Sequence, residues 1–168
     1  MIPGRILFVC TGNQCRSPMA EALFRHMLRE GNLNGDGEVN VSSCGTGGFV
    51  GCPATREAIE VMNEHGVDLS HHVSRGVSED ILAEADLVFA MAKRHQDILA
   101  MMYPRYSSKT HLLKQYAEDT SPDMYSRDNS RDIEDPIGKD ISAYRDVYRQ
   151  LKIALERILT AWSGDRHS

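Results

Sequence analysis

The sequence predicts an α/β fold, a single domain with a central four-stranded parallel sheet and helices on both faces. Three observations predict it. Four short runs, at 5–10, 39–43, 86–91 and 111–113, have the length and composition of strands, and two of them are continuously apolar, as strands buried on both faces are. Longer amphipathic stretches separate them, so strand and helix alternate, the pattern that builds a parallel sheet. The 168 residues suffice for one hydrophobic core and are too few for two, so 1–168 is expected to be one domain.

The elements follow in order. Residues 5–10 (RILFVC) form the first strand, ending on Cys10. A helix is expected over 18–30, where Met19, Leu23 and Met27 recur at i, i+4 and Pro18 suits the first position. Val39 to Ser43 is a shorter strand. A second helix over 53–65 opens at Pro53, turns Ala58, Ile59 and Met62 inward and closes at Gly66. Ser78 caps a short helix to Ala85, with Glu79 and Asp80 favourably placed in its first turn. DLVFAM (86–91) is the third strand, 93–102 a helix stopped by Pro104, and 111–113 the fourth strand. The last helix, 141–162, aligns Tyr144, Val147, Leu151, Leu155, Ile158 and Trp162 on one stripe. Between them, 116–134 is polar, acidic and interrupted by proline, and is expected to be an extended loop; loops that long are functional or disordered.

Composition narrows the function. A net charge of −5 argues against a nucleic-acid surface, which needs a basic face. No run approaches the roughly 18 apolar residues of a membrane span, and the four-residue apolar run after Arg5 is too short for a signal peptide, so a cytoplasmic protein is expected. In a reducing compartment the four cysteines (10, 15, 44, 52) are expected to be free, and their spacings do not match structural zinc pairs. The histidines are scattered, so neither a metal nor another cofactor is expected.

CTGNQCRS (10–17) carries the chemistry. Taken singly, Cys10 reads as a small core residue, Gly12 as a turn and Arg16 as a surface charge. Together they describe something else. A strand delivers Cys10, Gly12 and Asn13 tolerate unusual backbone angles, and a helix starts at once. That arrangement can turn successive N–H groups inward as an anion nest against a helix N-terminus, a phosphate-binding loop after the first strand. Arg16 would add a planar fork for two oxygens of a tetrahedral oxyanion. A cysteine in so positive a setting is expected to be a thiolate near neutral pH. In an open parallel sheet, ligands sit at the carboxyl ends of strands, where Cys10 lies.

CTGNQCRSPMAEALFR resembles the active-site segment of the low-molecular-weight protein tyrosine phosphatases, bacterial type, near the protein arginine phosphatase and arsenate reductase branches. SSCGTGG (42–48), HHVSR (71–75), ADLVFAM (85–91) and EDPIGKD (134–140) fall in that family's order. The resemblance implies a phosphatase acting on phosphorylated proteins through a phosphocysteine on Cys10, with Arg16 clamping the phosphate and Ser17 hydrogen-bonding the thiolate. It also implies that Asp135 is the general acid and base. Asp119, Asp123, Asp128, Asp132 and Asp140 share its polar surroundings, and the resemblance alone selects it. Thr11, Gly12, Asn13, Gln14 and Cys15 would contact substrate, with Phe49 and Ile137 beside them. Asn13 is implied to adopt a left-handed conformation and to bond Ser43 and His72; read by themselves, these are a strand-end hydroxyl and a surface histidine. Cys15 is either core filler or the partner that traps oxidised Cys10 as a reducible disulfide.

Three departures bear on substrate. Eukaryotic-type members carry a tyrosine after Asp-Pro and a tryptophan near GGFVG, where this chain has Ile137 and Phe49. The arginine-specific branch has a threonine before the second loop cysteine; this chain has Gln14. Arsenate reductases relay electrons through downstream cysteines, and no cysteine follows Cys52. Phosphotyrosine is therefore the expected substrate and phosphoarginine the alternative, ahead of arsenate reduction and a non-catalytic phosphate-binding module. Tyr125 reads as a solvated loop residue.

Overall fold

The computed structural model describes residues 2–33, 39–120 and 130–164. Its sheet is all parallel and four-stranded, in the order β2-β1-β3-β4, from β1 (Arg5–Cys10), β2 (Asn40–Gly45), β3 (Leu87–Ala90) and β4 (Thr110–Leu112). The central strand alternates strictly. Ile6, Phe8 and Cys10 face one layer, Leu7 and Val9 the other, and all five are buried.

The layer on the Phe8 side holds α1 (Arg16–Glu30), α2 (Arg56–Glu64), α5 (Leu113–Thr120) and α6 (Ile141–Gly164). The opposite layer holds α3 (Glu79–Glu84) and α4 (Lys93–Met102), whose Leu82 and Leu99 pack on Leu7, Val9 and Val88. Every residue of the expected stripe on α6 is buried, from Tyr144 to Trp162. An aromatic chain ties this layer together, with Phe8 5.7 Å from Phe89 and 5.9 Å from Phe24, and Phe24 6.2 Å from Trp162. Among the described residues no helix is long and apolar enough to cross a membrane.

Boundaries depart from expectation where capping decides them. The second helix begins at Arg56 rather than Pro53, because the Thr55 hydroxyl accepts the N–H of Ala58 at 3.4 Å. The first begins at Arg16, two residues early, with neither a side-chain cap nor an acidic residue in its first turn. Residues 116–120, placed in the polar loop by sequence, instead continue the helix α5. The physical reason is an apolar stripe: Leu113 and Ala117 are buried and Tyr116 packs edge-on against Phe89 at 5.1 Å and Trp162 at 6.3 Å. Tyr125, Asp123 and Asp128 lie outside the described residues.

Candidate active site

The loop from Cys10 to Arg16 forms a cup at the carboxyl end of β1, and its carbonyls are engaged from outside. Cys10 O accepts from Thr46 N–H (2.9 Å), Thr11 O from Gly47 N–H (2.8 Å) and Gln14 O from Thr55 N–H (2.9 Å). Asn13, left-handed at φ 53°, directs its carbonyl to His72 Nε2 at 2.6 Å. With the carbonyls turned outward, the N–H groups of the loop turn toward the cup and the uncapped start of α1.

One chain of hydrogen bonds orients these side chains. Arg75 N–H donates to Asn13 Oδ1 (2.9 Å), which orients the amide, so Asn13 Nδ2 donates to Ser43 Oγ and Ser17 Oγ, each at 2.9 Å. Ser43 passes its own proton to Glu21 Oε2 at 2.5 Å. Ser17 Oγ donates to Cys44 O at 3.4 Å and lies 3.0 Å from Cys10 Sγ, a contact in which either group can donate. The hydroxyl thus sits within hydrogen-bond reach of the sulfur.

Arg16 is 1% exposed, which a guanidinium tolerates only when its charge and donors are used. It donates to Ile133 O at 3.0 Å and lies 3.1 Å from Asp135 Oδ2, while Nε has no hydrogen-bond partner among the described residues. The segment carrying Asp135 is pinned by Ile133 N–H to Met91 O (2.8 Å) and by Lys93 N–H to Asp132 Oδ1 (2.8 Å). Asp132 is therefore engaged in anchoring, and Asp140 accepts from Ser142 at the start of α6. Asp119 is exposed on α5. Among the described residues Asp135 is the carboxylate that reaches Arg16.

At the mouth, a Cβ on Gly12 would lie 3.6 Å from Gln14 Oε1 and 3.8 Å from the Phe49 ring. Phe49 and Ile137 are both about half exposed, and Ile137 N–H caps Asp135 Oδ1 at 3.2 Å. All four cysteines are free. Cys15, 3.9 Å from Asp135 Oδ1, has its thiol pushed up to about 12, chiefly by burial and then by Cys10 and Asp135, so it stays protonated and is a poor nucleophile.

Sequence reasoning singled out no role for several residues that hold this cup. Gly45 lies inside SSCGTGG, and a Cβ there would meet Thr11 O at 2.4 Å and Asn13 N at 3.1 Å. Gly45→Ala is expected to destabilise the fold by about 1–3 kcal/mol, and the displaced loop to lower kcat/KM by about 10–100-fold. Urea unfolding and p-nitrophenyl phosphate turnover measure both; wild-type values for both would contradict the close approach.

His95 left no signal in sequence beyond its place in α4. It is fully buried, its Nδ1 accepts from Ala92 N–H at 3.1 Å, and Nε2 therefore holds the ring proton and donates to Thr11 Oγ1 at 2.8 Å. Burial, then Arg16 and Arg94, pull its pKa from 6.5 down to about 3. The unfolded chain binds that proton first on acidification. Stability is accordingly complete above pH 6.5 and falls as pH drops from 6.5 toward 3, by up to about 1.4 kcal/mol per pH unit. The unfolding free energy of His95→Gln is expected to decline less over that range; identical slopes would contradict the assignment.

Residues 5–167 match the family described as low molecular weight phosphotyrosine protein phosphatase. A protein-arginine-phosphatase of Bacillus subtilis is 39% identical over 92% of this chain and 91% of its own length. The probable low molecular weight protein-tyrosine-phosphatase AmsI of Erwinia amylovora is 33% identical over 94% and 96%. A solved structure of the YwlE arginine phosphatase, a cysteine-to-serine mutant with a phosphorylated active site serine, superposes with a TM-score of 0.83 at 36% identity, covering 96% of this chain and 97% of that one.

Proposed function

The chain belongs to the low molecular weight phosphotyrosine protein phosphatase family, and on that premise we propose that Cys10, Arg16, Ser17 and Asp135 hydrolyse phosphotyrosine in proteins through a phosphocysteine intermediate. The observation that carries this reading is the single cup in which Ser17 Oγ lies 3.0 Å from Cys10 Sγ and Arg16 faces Asp135 at 3.1 Å.

In the first step the Cys10 thiolate forms a bond to phosphorus as the bond to the tyrosyl oxygen breaks in line. Asp135, protonated, gives its proton to that departing oxygen. Arg16 exchanges its carboxylate contact for the equatorial phosphate oxygens, which the loop N–H groups also bind. In the second step Asp135 takes a proton from water, the water oxygen bonds phosphorus, and the P–S bond breaks to return the thiolate that Ser17 stabilises. Asn13, Ser43 and His72 position the cup, Thr11, Gly12, Gln14 and Cys15 line it, and Phe49 and Ile137 flank the ring of the substrate. Arg16 supplies the charge that a divalent cation supplies elsewhere, so no cofactor is called for. A cytoplasmic setting suits a catalytic thiol, which needs a reducing compartment.

The arginine-specific relatives make phosphoarginine the second reading. Two features favour tyrosine. Gln14 occupies the loop position before Cys15, and Arg94 lies 3.4 Å from Asp135, where it would repel a second guanidinium. Peptides phosphorylated on tyrosine, serine or arginine, assayed with and without EDTA, test the reading. Highest kcat/KM on phosphotyrosine, unchanged by chelation, is expected. A higher value on phosphoarginine, or loss of activity in EDTA, would overturn it.

A further inference from the structure

Arg94, next to the buried His95, has its backbone held at the rim of the cup by the bonds from His95 to Thr11 and Ala92. Its side chain is 54% exposed, and NH2 lies 3.4 Å from Asp135 Oδ2, the same oxygen that Arg16 touches at 3.1 Å. Two guanidinium groups thus share one carboxylate oxygen. Among the described residues, two neighbouring lysines are paired elsewhere: Lys93 with Asp97, and Lys139 with Glu134 at 3.3 Å. His95 Nε2, 3.4 Å from Arg94 Nε, carries the ring proton and cannot accept from it.

Turnover disturbs this sharing. To protonate the leaving group, Asp135 must enter the first step as a neutral carboxylic acid, and Arg16 passes to the phosphate inside the cup. Arg94, at the rim, then faces outward with no carboxylate to bind, beside the chain that carries the phosphorylated side chain. We propose that Arg94 is a specificity-determining residue, which exchanges Asp135 for an aspartate or glutamate flanking the phosphotyrosine. The preferred substrates are then acidic phosphotyrosine segments of proteins, and lysine or arginine at the same positions is disfavoured. This rests on the reading of the site as a phosphotyrosine phosphatase.

The experiment compares kcat/KM for three phosphotyrosine peptides that differ only in having glutamate, glutamine or lysine beside the phosphotyrosine. The enzymes are the wild type, Arg94→Gln and Arg94→Glu, with p-nitrophenyl phosphate as a substrate without flanks. In the wild type the glutamate peptide is expected to exceed the glutamine peptide by about two- to fivefold at low ionic strength, and the advantage to shrink in about 0.5 M salt. The ratio falls to unity in Arg94→Gln and favours lysine in Arg94→Glu. Because the readout is a ratio of peptides within one enzyme, any general loss from removing the Asp135 contact cancels. Equal rates on the glutamate and glutamine peptides in the wild type, or a ratio unchanged by Arg94→Gln, would overturn the proposal and leave the phosphatase reading intact. Failure to turn over any phosphotyrosine peptide would overturn that reading and the proposal with it.

Discussion

Cys10→Ser is expected to lower kcat on aryl phosphates by at least about 10⁴-fold while the protein still folds and binds phosphate. The serine oxygen nearly matches sulfur in size and its site is fully buried, so packing changes little. Its acidity does not. A serine hydroxyl stays neutral where the proposed chemistry needs a thiolate, and the Ser17 hydroxyl 3.0 Å away can stabilise only an anion that serine does not form. The cup itself is built from backbone carbonyls tied to Thr46, Gly47, Thr55 and His72, none of which involves the sulfur. Calorimetric titration with inorganic phosphate and rapid-quench turnover separate the two effects. Activity surviving at a tenth of the wild-type rate would remove covalent catalysis by Cys10; loss of both binding and turnover with the fold intact would mean that the sulfur, not the loop, holds the anion. Wild-type protein that binds phosphate and turns nothing over would instead describe a phosphate-binding module.

Asp135→Asn is the second large effect, a fall in kcat of about 10²–10⁴-fold. Asparagine fills the same space and can still accept from Ile137 N–H through its carbonyl, but it cannot deliver a proton. The loss should therefore depend on the leaving group: greater for phenyl phosphate, whose phenolate needs protonation, and less for p-nitrophenyl phosphate, whose leaving group departs unaided. Arg16 keeps its bond to Ile133 O, so phosphate affinity should not collapse with the rate. A uniform loss across leaving groups would assign Asp135 to holding Arg16 rather than to proton transfer.

The parts of this molecule that follow one-dimensional rules were legible from sequence. The stripe from Tyr144 to Trp162, the continuous apolar run of β1 and the end of that strand at Cys10 all follow a local pattern of residue types. Residues 116–120 did not, because polar neighbours masked an apolar stripe whose partners, Phe89 and Trp162, lie far away in sequence. In the site, the loop from Cys10 to Ser17 announces itself by local spacing. Asp135 required the family resemblance, since nothing local distinguishes it from Asp132 or Asp140 until folding gives each a different partner. His95, Gly45 and Arg94 were missed for a related reason. Each acts on a segment brought near only by the sheet, through a bond to Thr11, a close approach to its carbonyl, or a shared carboxylate.

The bond from Arg16 to the carbonyl of Ile133 has one more implication. Arg16, the proposed phosphate clamp, also moors the strip of chain that carries Asp135, the proposed acid, two positions later. On the proposed mechanism this bond ties the anion clamp to the chain that carries the acid, so folding brings the two together before any substrate arrives.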